Sequence, residues 1–462
     1  MRNRGVRTKD MAIRTQNLAR LEYLPVTPSS ISICADVIAL VIGIGASLTV
    51  KLVGNLPLSE VILIPLAPIF FALRPARIFR SIFKVPFMLI GLWLFGQVIT
   101  DIYRETKSID WLRGDAKIVF LAVNILCMAV LVGRNLRRSA VFVGGYSIGS
   151  FLTFKFQPVV YSTADPWKFG YYSSVMMFFL LTSCYFYSRR RYAIVGIILM
   201  GLIVVNLLLN FRSPVAFLLI TFVLVLPVIP ERIGRMTILP RLGSVQRVTV
   251  LMMFALAATA GSLGLVHIFT YSGFLGEQAQ LKNQNQSESK LGLLIGGRPE
   301  ILVSSHAVWD SPILGHGSWA TDMKYVDMLY DYEEKYGLYP NLEDMEEQSN
   351  DLIPSHSHLM AAWVESGFLG AIFWAFVLSL VVKSIIRVST FRPPLAPLYT
   401  WLLLTFAWDI LFSPFGSGRL ISEGFLLVVI CDLLESSLSS FKMRERSTQI
   451  GFLYDRSIQR RM

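Results

Sequence analysis

Apolar residues in this chain gather in long blocks and do not alternate with polar ones. Twelve such blocks lie at residues 31–50, 57–73, 85–100, 118–132, 140–154, 171–187, 192–209, 215–228, 248–267, 359–382, 398–412 and 421–434. A helix needs roughly 20 apolar residues to cross the hydrocarbon of a bilayer, so each block predicts a spanning helix whose ends reach into its flanks. The expected fold is all-α, a polytopic transmembrane helix bundle of about twelve spans. For about ninety residues between His267 and Leu359 the apolar pattern stops, which predicts one long loop outside the bilayer containing short helices. The chain then divides into a polar tail (1–30), nine spans (31–267), the loop (268–358), three spans (359–438) and a second polar tail (439–462).

Composition agrees with a membrane class. Hydrophobic residues make up 54% of the chain and charged ones 16%, against roughly 45–50% and 25% in soluble domains. The net charge of +12 would suit nucleic acid, but its distribution has another cause. With the N-terminus in the cytoplasm, every second connection is basic, and these segments collect 29 of the 43 Lys and Arg. That is the positive-inside pattern, and it predicts a multi-pass protein of a bacterial inner membrane with both termini cytoplasmic. The first apolar block follows a segment too polar for a signal peptide and reads as a retained span. Cys34, Cys127, Cys184 and Cys431 all fall within apolar blocks, as small buried hydrophobes do. Asp36, Glu60, Asp409 and Asp432 are the carboxylates that the blocks or their ends carry into the bilayer.

By the same alternation the loop is extracytoplasmic. Its 14 Asp and Glu against five Lys and Arg give it a balance of −9. Residues 278–290 are polar, and the acidic run 343–347 reads as a solvated face; Asn285 opens a short glycosylation-like sequon. Met323, Val326, Leu329 and Tyr330 have helical spacing and predict an amphipathic helix over 322–336.

Three stretches on this face carry chemistry. One is Gly296-Gly297-Arg298-Pro299-Glu300, followed by Trp309 and Ser311-Pro312-Ile313-Leu314-Gly315-His316-Gly317. Another is Pro354-Ser355-His356-Ser357-His358, leading into Glu365-Ser366-Gly367-Phe368-Leu369-Gly370. The third, Asn210-Phe211-Arg212-Ser213-Pro214, joins the seventh and eighth blocks. Four of the five histidines lie in the loop.

The order of these motifs resembles that of the O-antigen ligase and O-antigen polymerase family, over residues 210–370 in motifs and over the whole chain in topology. The resemblance implies an enzyme that moves a glycan from an undecaprenyl-diphosphate carrier to an acceptor hydroxyl at the periplasmic membrane face. The acceptor is a glycan or a lipid-linked one, in lipopolysaccharide or exopolysaccharide biosynthesis. Arg212 and Arg298 match the family's diphosphate-contacting arginines. His356 matches its essential histidine, since nine residues separate it from Glu365, whereas His358 leaves seven. The family usually has Asn after that histidine and Ser357 stands here, so the choice between His356 and His358 stays open. Arg113, in Leu112-Arg113-Gly114, matches a looser family segment. Glu300, Trp309, His316, His358 and Arg113 are the expected substrate contacts.

The chemistry suits these side chains. Cleaving a sugar–diphosphate bond builds negative charge on phosphate oxygens, which permanently ionised, bidentate guanidinium groups stabilise. The incoming hydroxyl needs a proton acceptor, and neutral histidine is matched to near-neutral conditions. No cofactor, metal site or paired carboxylates are expected. Each residue also has a plainer reading. Arg212 at a helix end is a snorkelling contact; His356 and His358 are polar residues at a helix start with Ser355 or Ser357 as N-cap. His306 is a loop contact and His267 an interfacial histidine. Trp309 and Trp319 are interfacial anchors or sugar-stacking rings. Glu365 needs a buried partner such as arginine or histidine; Gly367 and Gly370 are close-packing positions. The competing function is a lipid-linked glycan flippase or another polysaccharide transporter, against which stand the absence of an inverted repeat and the large outer loop.

Overall fold

The apolar blocks become helices that extend into their polar flanks. The computed structural model describes residues 30–51, 55–73, 80–209, 211–226, 298–336 and 351–435, with four isolated positions between 249 and 264. Helix α1 is Ser30–Gly45. It leads into a short antiparallel hairpin, β1 (Thr49–Lys51) and β2 (Asn55–Pro57), in which Thr49 faces Pro57. The hairpin is a departure from the all-helical expectation. Then follow α2 (Leu58–Leu73), α3 (Ser81–Tyr103), α4 (Ser108–Leu131) and α5 (Leu136–Phe156). A one-turn α6 (Val160–Ala164) and a π-helical turn (Trp167–Tyr171) precede α7 (Tyr172–Ser188), α8 (Tyr192–Leu208) and α9 (Arg212–Val225).

Beyond the undescribed stretch lie α10 (Glu300–Asp310) and α11 (Met323–Tyr336). Next come α12 (His358–Ser366), α13 (Phe368–Phe391) and α14 (Ala396–Phe412). A 3₁₀ turn (Ser417–Arg419) opens α15 at residues 420–435. Among the described residues, four helical stretches are long and apolar enough to cross a membrane: Ser81–Tyr103, Ser108–Leu131, Trp167–Ser188 and Phe368–Phe391. Five more apolar helices are shorter. Most of block 248–267, the segment 278–290 with Asn285, the acidic run 343–347 and both tails lie outside the described residues.

Small residues and paired charges hold the bundle. Gly43, Gly145 and Gly149 bring α1 and α5 into backbone contact: a Cβ at these positions would run into the carbonyls of Phe142, Leu40 and Ile44. Each carboxylate expected in the bilayer blocks meets a polar partner. Asp36 lies 3.0 Å from Arg137 and 3.4 Å from Arg138. Asn124 donates to Glu60 at 3.0 Å, and Asp409 pairs with Arg419 at 2.8 Å. Asp432 and Glu435 bind Arg80 at 2.9 and 2.6 Å, and Arg134 also reaches Glu435 at 2.7 Å. In apolar surroundings such pairing is what makes an ionisable group tolerable. Cys127, Cys184 and Cys431 are buried as expected, whereas Cys34 is exposed.

The tenth apolar block, continuous in sequence, is two helices. It breaks at Gly367, whose φ of 63° and ψ of −158° are open only to glycine. A Cβ there would also collide with the backbone of Ile313 and Leu314. The close-packing reading of Gly367 therefore has a specific partner, the segment 311–318. Gly367→Ala is expected to lose roughly 1–3 kcal/mol from the backbone conformation alone, with the collision added. Thermal unfolding of the detergent-purified protein checks this, and an unchanged melting temperature would refute it.

The amphipathic helix of the loop forms as α11, with a rotated face. Tyr325, Val326 and Leu329 are buried, but Met323 and Tyr330 are half exposed. The buried side packs on Val303 and Ala307 of α10, Ile353 and Val364, a small second core. Asp310 ties the two helices by accepting from Lys324 Nζ and Tyr325 Oη, each at 2.6 Å. Those hydrogen bonds, Lys324 first, hold its carboxyl below the usual range.

Candidate active site

The site begins with how the loop is fastened. The C-terminal end of α3 presents Gln97, Thr100, Asp101 and Arg104 to segment 311–318. Asp101, 1% exposed, accepts from the backbone N and the Oγ of Ser318, both at 2.6 Å. Gln97 donates to Ser318 Oγ at 2.8 Å, and Thr100 donates to the Leu314 carbonyl. Arg104 donates twice to the Gly315 carbonyl, at 3.1 and 2.8 Å. Gly315 and Gly317 take φ of 83° and 96°, and at both a Cβ would strike neighbouring atoms. The same segment caps α12: His316 N donates to Val364 O at 2.6 Å and Gly317 N to Glu365 O at 3.0 Å. These are orphan carbonyls of a helix end. The Pro-x-x-Gly-x-Gly motif is thus a clasp between α3 and α12.

The clasp places α10 and α12 against one large cavity of about 1640 Å³. Arg298 and Glu300 stand at the start of α10, where the positive end of the helix dipole also favours an anion. His356 lies just before α12 and is 6% exposed. All three line the cavity, and His356 Nδ1 sits 3.9 Å from Glu300 Oε1. Ser357 is the N-cap of α12: its Oγ accepts from Met360 N at 3.2 Å and donates to the Ile410 carbonyl at 2.9 Å. The Ser357 alternative for the cap is the one realised, and it coexists with a cavity-facing His356.

His358 points the other way. It is fully buried, with Nδ1 2.6 Å from the Ser413 carbonyl and Nε2 2.7 Å from Glu423 Oε1. Its ring meets Trp374 edge-on at 4.9 Å. Because a carbonyl only accepts, Nδ1 carries the hydrogen. His358 is therefore placed away from the cavity by its two buried hydrogen bonds, and serves the core instead of a substrate.

Other expected contacts also sit elsewhere. His316 Nε2 lies 2.8 Å from the Ala307 carbonyl and its ring meets Tyr325, so it packs between α10 and α11. Trp309 is 85% exposed at the end of α10, and neither residue lines the cavity. His306 makes its loop contact at 3.0 Å from Tyr332 Oη. Arg212 opens α9 and is half-buried; its neighbours Phe211, Ser213 and Pro214 line the cavity, and Arg212 does not. Arg113 does line it, beside Asp110 at 3.8 Å. Glu365 has a buried partner, though it is Lys117 at 2.8 Å and not arginine or histidine.

Lys117, Lys168, Arg419 and Asp115, which motif reading passed over, also line the wall. Five basic side chains line the cavity, Arg113, Lys117, Lys168, Arg298 and Arg419, against Asp115, Glu300, Glu365 and Asp409. Arg419 is held by Asp409 at 2.8 Å. It sits in a short turn between apolar blocks, the same signal that selected Arg212. Much of the rest of the wall is apolar and aromatic, with Phe120, Phe142, Met177, Phe217, Trp401 and Leu426. Among the described residues no group of three or more His, Cys, Asp or Glu is arranged to hold a metal ion.

No protein-family model matches this chain, and none of the curated proteins matches it. The functional reading therefore stands on the cavity itself. Its wall joins guanidinium groups, an imidazole, and apolar and aromatic side chains.

Proposed function

We propose that this protein is an integral-membrane glycosyltransferase that moves a glycan from an undecaprenyl-diphosphate carrier to an acceptor hydroxyl at the periplasmic face of a bacterial inner membrane. The observation that carries the reading is one cavity lined by both Arg298 and His356, residues that stand 58 positions apart in sequence. The apolar lining suits a polyprenyl chain, and the charged lining suits diphosphate and sugar.

In the reaction the acceptor oxygen attacks the anomeric carbon as its proton passes to His356. The bond from that carbon to the phosphate oxygen breaks, and its electron pair leaves with undecaprenyl diphosphate. Arg298, with Arg419 in the same wall, stabilises the charge that gathers on the leaving diphosphate. Glu300 stands beside the imidazole, its Oε1 3.9 Å from Nδ1. Ligase and polymerase share this donor chemistry; a ligase delivers to a lipid core and a polymerase to another lipid-linked repeat.

Purified protein reconstituted with undecaprenyl-diphosphate oligosaccharide and acceptor tests the reading. The expected products are a new glycosidic bond and free undecaprenyl diphosphate. Relocation of the carrier across the bilayer with no new bond would make the protein a flippase and overturn the proposal.

A further inference from the structure

Trp319 is one of three tryptophans that line the cavity, with Trp401 and Trp408, and neither the clasp nor the proton and phosphate chemistry uses it. It is a non-glycine residue with φ of 51°. Such a backbone persists only where its surroundings over-determine it, and these positions cluster at ligand clamps. Here both neighbours are fixed. Ser318 is bonded through N and Oγ to buried Asp101 at 2.6 Å, and through Oγ to Gln97 at 2.8 Å. On the other side Ile353 N donates to the Ala320 carbonyl at 2.9 Å, and Thr321 bridges to Leu352. The residue is left 37% exposed and lines the cavity. A tryptophan serving only to pack would be covered. Trp309, 85% exposed and outside the cavity, shows the contrasting placement.

Two cations sit over the ring. The Arg113 guanidinium carbon and the Lys117 Nζ each lie 5.7 Å from its centroid, and Lys117 is fixed by Glu365 at 2.8 Å. The result is a held aromatic ring with charged hydrogen-bonding groups close to it. That combination matches a pyranose ring, which has a C–H face to lay on an aromatic and a hydroxyl edge to bond with charged donors and acceptors. A prenyl chain would use the ring but not its charged rim.

We propose that Trp319 is a stacking platform for a sugar of the bound glycan, with Arg113 and the Lys117–Glu365 pair as its polar rim. The proposal rests on the glycan-transfer reading and adds a glycan subsite to it.

Binding of two probes to the detergent-purified protein, measured by native mass spectrometry, tests it. One probe is undecaprenyl diphosphate bearing an oligosaccharide; the other is undecaprenyl diphosphate without sugar. Wild type is expected to bind the glycosylated carrier more tightly. Trp319→Ala should lose about tenfold of that affinity and bind the bare carrier as wild type does. Trp319→Phe should keep most of the preference, and Arg113→Ala should weaken the glycosylated carrier alone. If Trp319→Ala weakens both probes alike, the ring contacts the lipid or supports the fold, and the proposal is overturned. It is equally overturned if both Trp319→Ala and Arg113→Ala keep the wild-type preference, an outcome that leaves glycan transfer standing. A wild-type protein that binds neither probe would remove the transfer reading and this subsite together.

Discussion

Alanine at His356 is expected to lower the rate of glycan transfer by about 10²–10⁴-fold, the usual contribution of a positioned general base, while the lipid-linked donor still binds. The expectation follows from placement. His356 is buried at the cavity wall before the first turn of α12, held there because Ser357 is bonded both to its own helix and to the end of α14. Removing the imbedded imidazole leaves the anion-binding side chains in place, so the chemical step falls and affinity does not. Arg298→Ala should behave differently. Loss of a preorganised donor to developing charge costs about 10²–10³-fold in rate, and donor affinity should drop with it; Arg298→Lys, without the bidentate fork, should recover only part. Arg212→Ala should cost less than Arg298→Ala, because Arg212 is not in the cavity wall. Single-turnover transfer with each purified variant separates these outcomes. Wild-type turnover by His356→Ala would remove the proposed proton transfer.

The helices were legible because block length is a strong signal when each spans a dozen or more apolar residues. Block 192–209 became Tyr192–Leu208, and block 398–412 became Ala396–Phe412. The break at Gly367 was not, since apolar residues continue on both sides and the cause lies in Ile313 and Leu314, some fifty residues earlier. The site shows the same division. Arg298, Glu300 and His356 are singled out through the family resemblance of their motifs, and all three line the cavity. Composition could not tell His356 from His358, because the difference is set by Ser413 and Glu423, more than fifty residues later. Likewise Gly315-His316-Gly317 reads as a ligand loop in sequence. Its glycines in fact admit the backbone of α12 and the side chains of α3, and Asp101 and Arg104 complete the clasp from a stretch with no recognisable motif. Local pattern reports what the bilayer demands of each segment; pairings across two hundred residues leave no trace in it.

The His358–Glu423 pair is where the largest loss of stability is expected. Both side chains are buried, at 0% and 4% exposure, and the pair links the start of α12 to α15 and to the loop after α14. Since Nδ1–H is committed to the Ser413 carbonyl, the 2.7 Å contact between Nε2 and Glu423 Oε1 requires one shared proton, on the imidazole or on the carboxyl. Glu423→Ala removes the partner of that proton and leaves a buried imidazole facing a void. Breaking a buried pair in this way costs about 3–5 kcal/mol, which should appear as a sharply lower melting temperature in detergent. Glu423→Gln should retain much of the stability, because its amide can donate to neutral Nε2. The same substitution carries a functional signature. Asp409 and Arg419 flank the loop that His358 anchors, and His356 lies two residues from His358, so Glu423→Ala should disturb both sides of the cavity at once. Transfer by the fraction that remains folded should then fall through both donor affinity and rate, unlike His356→Ala, which affects rate alone. A Glu423→Ala protein as stable as wild type would show that the pair does not hold the fold; one that is unstable but fully active when folded would show that the anchor and the site are separate.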